Sequence, residues 1–145
     1  MTNTPSAATI ALPVAPCQAL LDAFLNGPCD INAALLSTAD GRLVAVARRI
    51  EFEPARIAAI AGSILALAEA CARELKQTTC RNAIVDSEHG LTVMLRVATP
   101  QGAWALTTIG ARHTSLGLLF THSKQLAETL AAVATGSEPK SVAAV

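Results

Sequence analysis

The sequence predicts an α+β domain built on one antiparallel sheet, and three features of the chain predict it. Strand-like runs follow one another in a pair and then a triplet, joined by tight turns, with helical patterns between the groups instead of alternating βαβ units. Asp40-Gly41 separates two apolar runs, INAALLST and LVAVARR, and Asp-Gly in that setting is among the strongest local hairpin signals. The longest helical pattern contains a run, Ile57 to Ala68, with no charged residue on any face, which is not how a helix with a wet side is written. A chain of 145 residues is one domain's worth and long enough to bury a core.

In chain order, residues 1–13, rich in Thr, Ser, Ala and Pro, read as a mobile tail, residues 14–134 as the folded domain, and residues 135–145 as a second tail. Pro16 suits a helix start, and Leu20, Leu21, Phe24 and Leu25 form a helical stripe that stops at Asn26, Gly27 and Pro28. The Asp-Gly hairpin follows, with a type I′ turn expected because its two central positions need positive φ. Glu53 and Pro54 open the long helix, which runs to about Lys76 or Gln77. CRNAIVDS and LTVMLRVAT are strands parted by Glu88, His89 and Gly90, and AWALTTIG is a third, reached through Pro100, Gln101 and Gly102. A last amphipathic helix spans Ser115 to Ala134, carrying Leu116, Leu119, Phe120, Leu126, Leu130 and Val133. The order is α-ββ-α-βββ-α.

On a helical wheel, Ile57, Ile60, Ile64, Leu67, Ala68 and Cys71 form a bulky stripe, expected to pack on the protein's own core. The reverse face, Ala59, Gly62, Ser63, Ala66 and Ala70, is small enough for another backbone to approach closely, so a second subunit is expected to cover it. Gly62 costs a helix interior about 1 kcal/mol relative to Ala, and close packing would offset that. The strand after the Asp-Gly turn is flanked by Arg42, Arg48 and Arg49, which blunt an edge. Asn82, Ala83, Ile84 and Val85 carry no charge and no Pro, so as an edge they form an open template for another strand. The expected interface of a homodimer therefore joins the small helix face to that strand.

The totals restrict function. The composition is 52% hydrophobic and 15% charged, against about 25% charged in an average protein, so more surface than usual is hidden. Lys plus Arg equals Asp plus Glu, which leaves no basic field for nucleic acid. Three Phe, one Trp and no Tyr give no base-stacking platform. The opening MTNTPSAATIALPVAP has no basic n-region or long apolar h-region, and the uncharged run is too short to cross a bilayer. A cytoplasmic location without membrane insertion is expected. Cys17, Cys29, Cys71 and Cys80 have no CxxC or metal-ligand spacing and are expected to be free, mostly buried thiols.

No catalytic signature stands out. A cysteine nucleophile would need a base such as His89 or His113 beside it, and Cys80 next to Arg81 is only a slightly better candidate than Cys71 on the core stripe. His89, His113 and His122 read as turn or surface residues, none with an HxxxH partner. There is no GxxxxGK[ST] and no GxGxxG, and Gly110 and Gly117 are too far apart to cradle a pyrophosphate. Arg112 or Arg48 as an arginine finger for a partner is weaker than the reading of a surface arginine. No catalytic, cofactor or metal site is predicted.

The element order, the ALLSTADGRLVA hairpin, the long helix ending in AEACAREL, the strand pair NAIVDSEHGLTVMLRV and the helix TSLGLLFTHSKQLAETLA resemble the Roadblock family, named from dynein light chains. The likeness covers roughly Pro16 to Val133 and rests on apolar, glycine and turn patterns: Asp40-Gly41, Gly90, and Leu116-Gly117-Leu118-Leu119. It implies a profilin-like α/β sandwich: one five-stranded antiparallel sheet, the long helix on one face and two helices on the other, dimerising through the long helix and the strand after it. It further implies a bacterial-type, non-enzymatic scaffold or regulator of a small Ras-like GTPase. A different class, a small-ligand sensor with a PAS-like pocket, needs a cavity with a few polar groups. The sheet-facing Ile84, Val93, Leu95, Trp104 and Leu106 do not supply them.

Overall fold

The computed structural model describes residues 13–27 and 30–136. The predicted tails fall outside these residues except for Pro13, Thr135 and Gly136, as do Pro28 and Cys29. Among the described residues the elements are α1 (Val14–Leu25), β1 (Ile31–Thr38), β2 (Leu43–Arg48), α2 (Pro54–Glu74), β3 (Asn82–Ser87), β4 (Gly90–Thr99), β5 (Gly102–Gly110) and α3 (Leu116–Ala134). This is the predicted α-ββ-α-βββ-α order. The strands form one antiparallel sheet in the order β2-β1-β5-β4-β3, so the two hairpin groups join through β1 and β5.

The pleat divides the apolar residues between two unequal cores. On one face, Ala34 and Leu36 of β1, Val93 and Leu95 of β4, and Trp104 and Leu106 of β5 pack against α1 and α3. α1 contributes Cys17, Leu21 and Leu25 at helical spacing, starting two residues earlier than Pro16 suggests, with Pro13 at its N-cap. α3 contributes Leu119, Leu126 and Leu130, and the Ser115 hydroxyl caps it by accepting from the Leu118 amide at 3.2 Å. Within this core the Thr108 and Ser123 hydroxyls bond each other at 2.7 Å, so neither buried oxygen is orphaned. At about 1.5–3 kcal/mol for each fully buried large side chain, this face carries most of the hydrophobic stabilisation.

The other core is thin. Ala61 and Leu65 of α2 meet Met94 and Ala105, with Ile64 and Ala83 at its margin. α2 does not seat on the sheet by the bulky stripe that its wheel predicts. The buried residues are Ala58, Ala61 and Leu65, whereas Ile60 and Leu67 of the bulky stripe are 46% and 72% exposed and Cys71 is exposed. Gly62, expected on the partner-facing side, turns inward onto the β1–β2 turn: a Cβ there would lie 3.2 Å from the Ala39 carbonyl oxygen and 3.4 Å from the Gly41 Cα. The physical reason is distance. A helix seated closely on a sheet needs small residues at the contact, and its larger side chains then stand off to the flank.

Two turns explain how α2 is held. The β1–β2 loop is not the expected type I′ turn, because Gly41 has φ +88° while Asp40 is not in the positive-φ region. The Gly41 amide donates to the Thr38 carbonyl at 2.9 Å, and the register shifts between Leu36 and Ser37. This is the longer hairpin in which a type I-like turn is followed by a left-handed glycine. The Thr38 hydroxyl donates to the Asp40 carboxylate, and that bond holds the Asp40 carboxyl below its ordinary pKa. At the other end, Lys76 adopts φ +55°, the Gln77 amide donates to the Ala72 carbonyl at 2.8 Å and the Lys76 amide to the Arg73 carbonyl at 3.0 Å. That pair of bonds is a Schellman cap, with lysine in the position glycine usually takes.

Candidate interaction surface

The sheet has two edges, and side chains close one of them. On β2 the Gln18 carboxamide of α1 stands in for a neighbouring strand: its Nε2 donates to the Val46 carbonyl at 2.7 Å and its Oε1 accepts the Val46 amide at 3.3 Å. Arg48 donates to the Phe52 carbonyl at 2.6 Å and lies over the Phe52 ring, and Arg49 donates to the Leu25 carbonyl at 2.7 Å. The predicted arginine protection of β2 is therefore present, and Arg48 is committed within its own chain. The Gln18 plug has no sequence signature, since it depends on which strand α1 lies beside. Gln18→Leu is expected to lower stability by about 1–2 kcal/mol, because both Val46 backbone groups lose their partner. Chemical denaturation and faster hydrogen exchange at Val46 would record this; an unchanged midpoint and exchange rate would refute the plug.

β3 is the opposite case. The Arg96 amide donates to the Arg81 carbonyl at 3.1 Å, which fixes the alternation along the β3–β4 ladder. Ala83, Val85 and Ser87 exchange bonds with Met94, Thr92 and Gly90, so Asn82, Ile84 and Asp86 direct their N–H and C=O groups to the open edge. The Cys80 thiol donates to the Asn82 carbonyl at 3.2 Å. Among the described residues no hydrogen bond reaches the outward backbone groups of Ile84 and Asp86. Ile84 and Val85 are 43% and 37% exposed, on opposite faces of the strand, while Asn82 and Ala83 are half-buried.

The exposed side of α2 continues this surface. Ala59, Ser63, Ala66 and Ala70 are exposed as predicted, joined by Ile60 and Leu67. The Ser63 hydroxyl donates to the Ala59 carbonyl at 3.1 Å, which removes most of its polarity from the face. Ile57, Ile60 and Ile64 of α2 line one cavity with Val85 of β3, so the helix flank and the open edge adjoin in space. The connection between them is pinned by Glu69, whose carboxylate accepts the Cys80 amide at 2.7 Å and lies 3.5 Å from the Arg96 guanidinium. Thr78 in that connection has φ +68°, an outlier for a β-branched residue. α2 is 21 residues long and apolar enough, by length and composition, to cross a membrane. It lies on the sheet instead, through Ala58, Ala61 and Leu65.

Groups with chemical potential are scattered. Among the described residues no three His, Cys, Asp or Glu side chains are placed to hold a metal ion. Cys17 is fully buried in the main core, and burial pushes its thiol pKa up, away from nucleophilic use. Cys71 is exposed, contrary to the expectation from the wheel, and Cys80 is half-buried. His89 sits at the β3–β4 turn, 71% exposed and 4.0 Å from the Glu88 carboxylate. His113 and Arg112 are exposed in the loop before α3, and His122 is half-buried on it.

No protein-family model matches the chain, and no curated protein matches its sequence. Solved structures do match its fold. MglB of Myxococcus xanthus superposes with a TM-score of 0.73 at 16% identity, covering 83% of this chain and 89% of that one. A Roadblock/LC7 domain from Streptomyces avermitilis matches at 0.69 and 16% identity, covering 78% and 92%. Profilin of Schizosaccharomyces pombe matches at 0.58 and 16% identity, covering 80% and 97%. The fold is Roadblock-like and, at greater distance, profilin-like.

Proposed function

We propose that this domain is a cytoplasmic, non-enzymatic scaffold that self-associates through the α2 flank and the β3 edge and, as a pair, binds and regulates a small Ras-like GTPase. One observation carries the self-association: an uncharged helix face with Ile60 and Leu67 exposed adjoins a strand whose outward hydrogen-bonding groups are unused. An apolar flank and a bare edge are each a liability in a monomer, and one partner copy answers both. Of the nine residues expected from the sequence, the interface so defined keeps Ala59, Ser63, Ala66, Ala70, Ile84 and Val85, adds Ile60 and Leu67, and leaves out the inward Gly62 and the half-buried Asn82 and Ala83.

The GTPase partner rests on the resemblance to Roadblock domains and on the likeness of fold. The chain's own residues add that it has no phosphate-binding loop, so nucleotide chemistry would belong to the partner. Light scattering on the purified protein is expected to give twice the chain mass of 14.9 kDa; a monodisperse monomer at tens of micromolar would overturn the self-association. Pull-down with a small Ras-like GTPase from the same genome, loaded with GDP or a GTP analogue, tests the partner. State-dependent capture is expected, and equal absence of capture in both states would overturn the GTPase reading.

A further inference from the structure

Beneath the α2 flank, the thin core leaves a cavity of about 170 Å³ between the helix and β3, β4 and β5. Its walls include Ile57, Ile64, Met94 and Ile109, and its exposed rim includes Ile60 and Val85. No lining residue is ionisable. Two threonines, Thr92 and Thr107, are the polar members of the lining. Thr107 is 1% exposed, and its hydroxyl is buried without a hydrogen-bond partner among the described residues. On the other face of the same strand, Thr108 has its bond to Ser123. A buried hydroxyl left unpaired is costly, so an unpaired one lining an apolar cavity calls for something to bond it.

We propose that this cavity binds a small, neutral, largely apolar molecule whose single hydroxyl or carbonyl oxygen pairs with the Thr107 hydroxyl. The volume sets the size, since a cavity of about 150 Å³ lined by apolar side chains accommodates benzene, so about seven non-hydrogen atoms fit. The lining sets the charge: an ion entering past the rim would lose part of its water with no counter-charge in the lining to meet it. Thr107 sets the functional group, because a threonine hydroxyl both donates and accepts and so suits either an alcohol or a carbonyl. The rim residues Ile60 and Val85 also belong to the surface proposed for self-association. Occupancy of the cavity and pairing of two copies would therefore influence each other reciprocally.

Phenol and toluene, each of about seven non-hydrogen atoms, form the probe pair, since they differ by a hydroxyl in place of a methyl. With isoleucine and methionine methyls labelled, phenol is expected to give saturable shifts at Ile57, Ile64, Met94 and Ile109. The preference for phenol over toluene should fall about tenfold or more in Thr107→Val, which keeps the shape and removes the hydroxyl. Ile60→Trp, at the exposed rim, is a second variant: it should block both probes while the Ile31 methyl in the main core keeps its native resonance. The proposal is overturned if neither probe saturates, if the phenol preference survives Thr107→Val, or if Ile60→Trp binds both probes undiminished. Because the readout is methyl shifts and not mass, failure here leaves the self-association proposal standing on its own test.

Discussion

Gly62→Glu is expected to cripple folding instead of releasing a soluble, well-folded single copy, with a loss of about 3 kcal/mol or more. The added side chain would be overpacked where its Cβ meets the turn, and its carboxylate would lose part of its water. The closest atoms are backbone, the Ala39 carbonyl oxygen and the Gly41 main chain, so no flexible side chain can swing aside. The turn and the helix are in close contact at a second point as well, since a Cβ at Gly41 would lie 3.0 Å from the Ala59 Cα. Gly62→Ala separates the two effects. It gains up to about 1 kcal/mol of helix propensity while asking the turn to give by a few tenths of an ångström, so its midpoint should stay near the native one. Denaturation followed by circular dichroism measures both variants. A Gly62→Glu protein with a native midpoint would mean that α2 does not sit on the turn.

That glycine also shows where sequence reasoning met its limit. Element order was legible because each boundary has a local chemical cause: proline at the start of α2, serine capping α3, and Asp40-Gly41 in the hairpin. The inward face of α2 is not legible in this way, since a helical wheel assigns bulk to the core. The premise holds for α1 and α3, which bury leucines. It fails for α2, whose neighbours beneath it, Met94 and Ala105, are met by Ala61 and Leu65 at close range. Hydrophobicity alone gives no sign of separation between layers. Four of the five small helix positions are nevertheless exposed, because an uncharged helix presents an apolar surface whichever side is inward.

The Gln18 plug, the direction of the Ile84 amide and the unpaired Thr107 hydroxyl were likewise out of reach. Each depends on a neighbour across the sheet, and strand order is a tertiary fact. Asn82 to Val85 was legible as a bare strand from its composition. That β3 in fact lies at an edge follows only from the order β2-β1-β5-β4-β3.

The other large effect concerns association. Replacing Ile60 and Leu67 together by glutamate should weaken pairing by two to three orders of magnitude, while changing the stability of the single copy by about 0.5 kcal/mol or less, as is usual for exposed sites. Ile84→Pro separates the helix contribution from that of the strand. Proline there removes an outward N–H and leaves the β3–β4 ladder intact, whereas at Val85 it would delete a bond to Thr92 and confound folding with pairing. If the two sheets join edge to edge, Ile84→Pro should weaken association on its own, and sedimentation equilibrium of each variant would show it. If only the glutamate pair matters, the copies meet helix to helix and the β3 edge stays free for a different chain. Native association in both variants would leave the α2–β3 surface without the self-pairing role proposed for it.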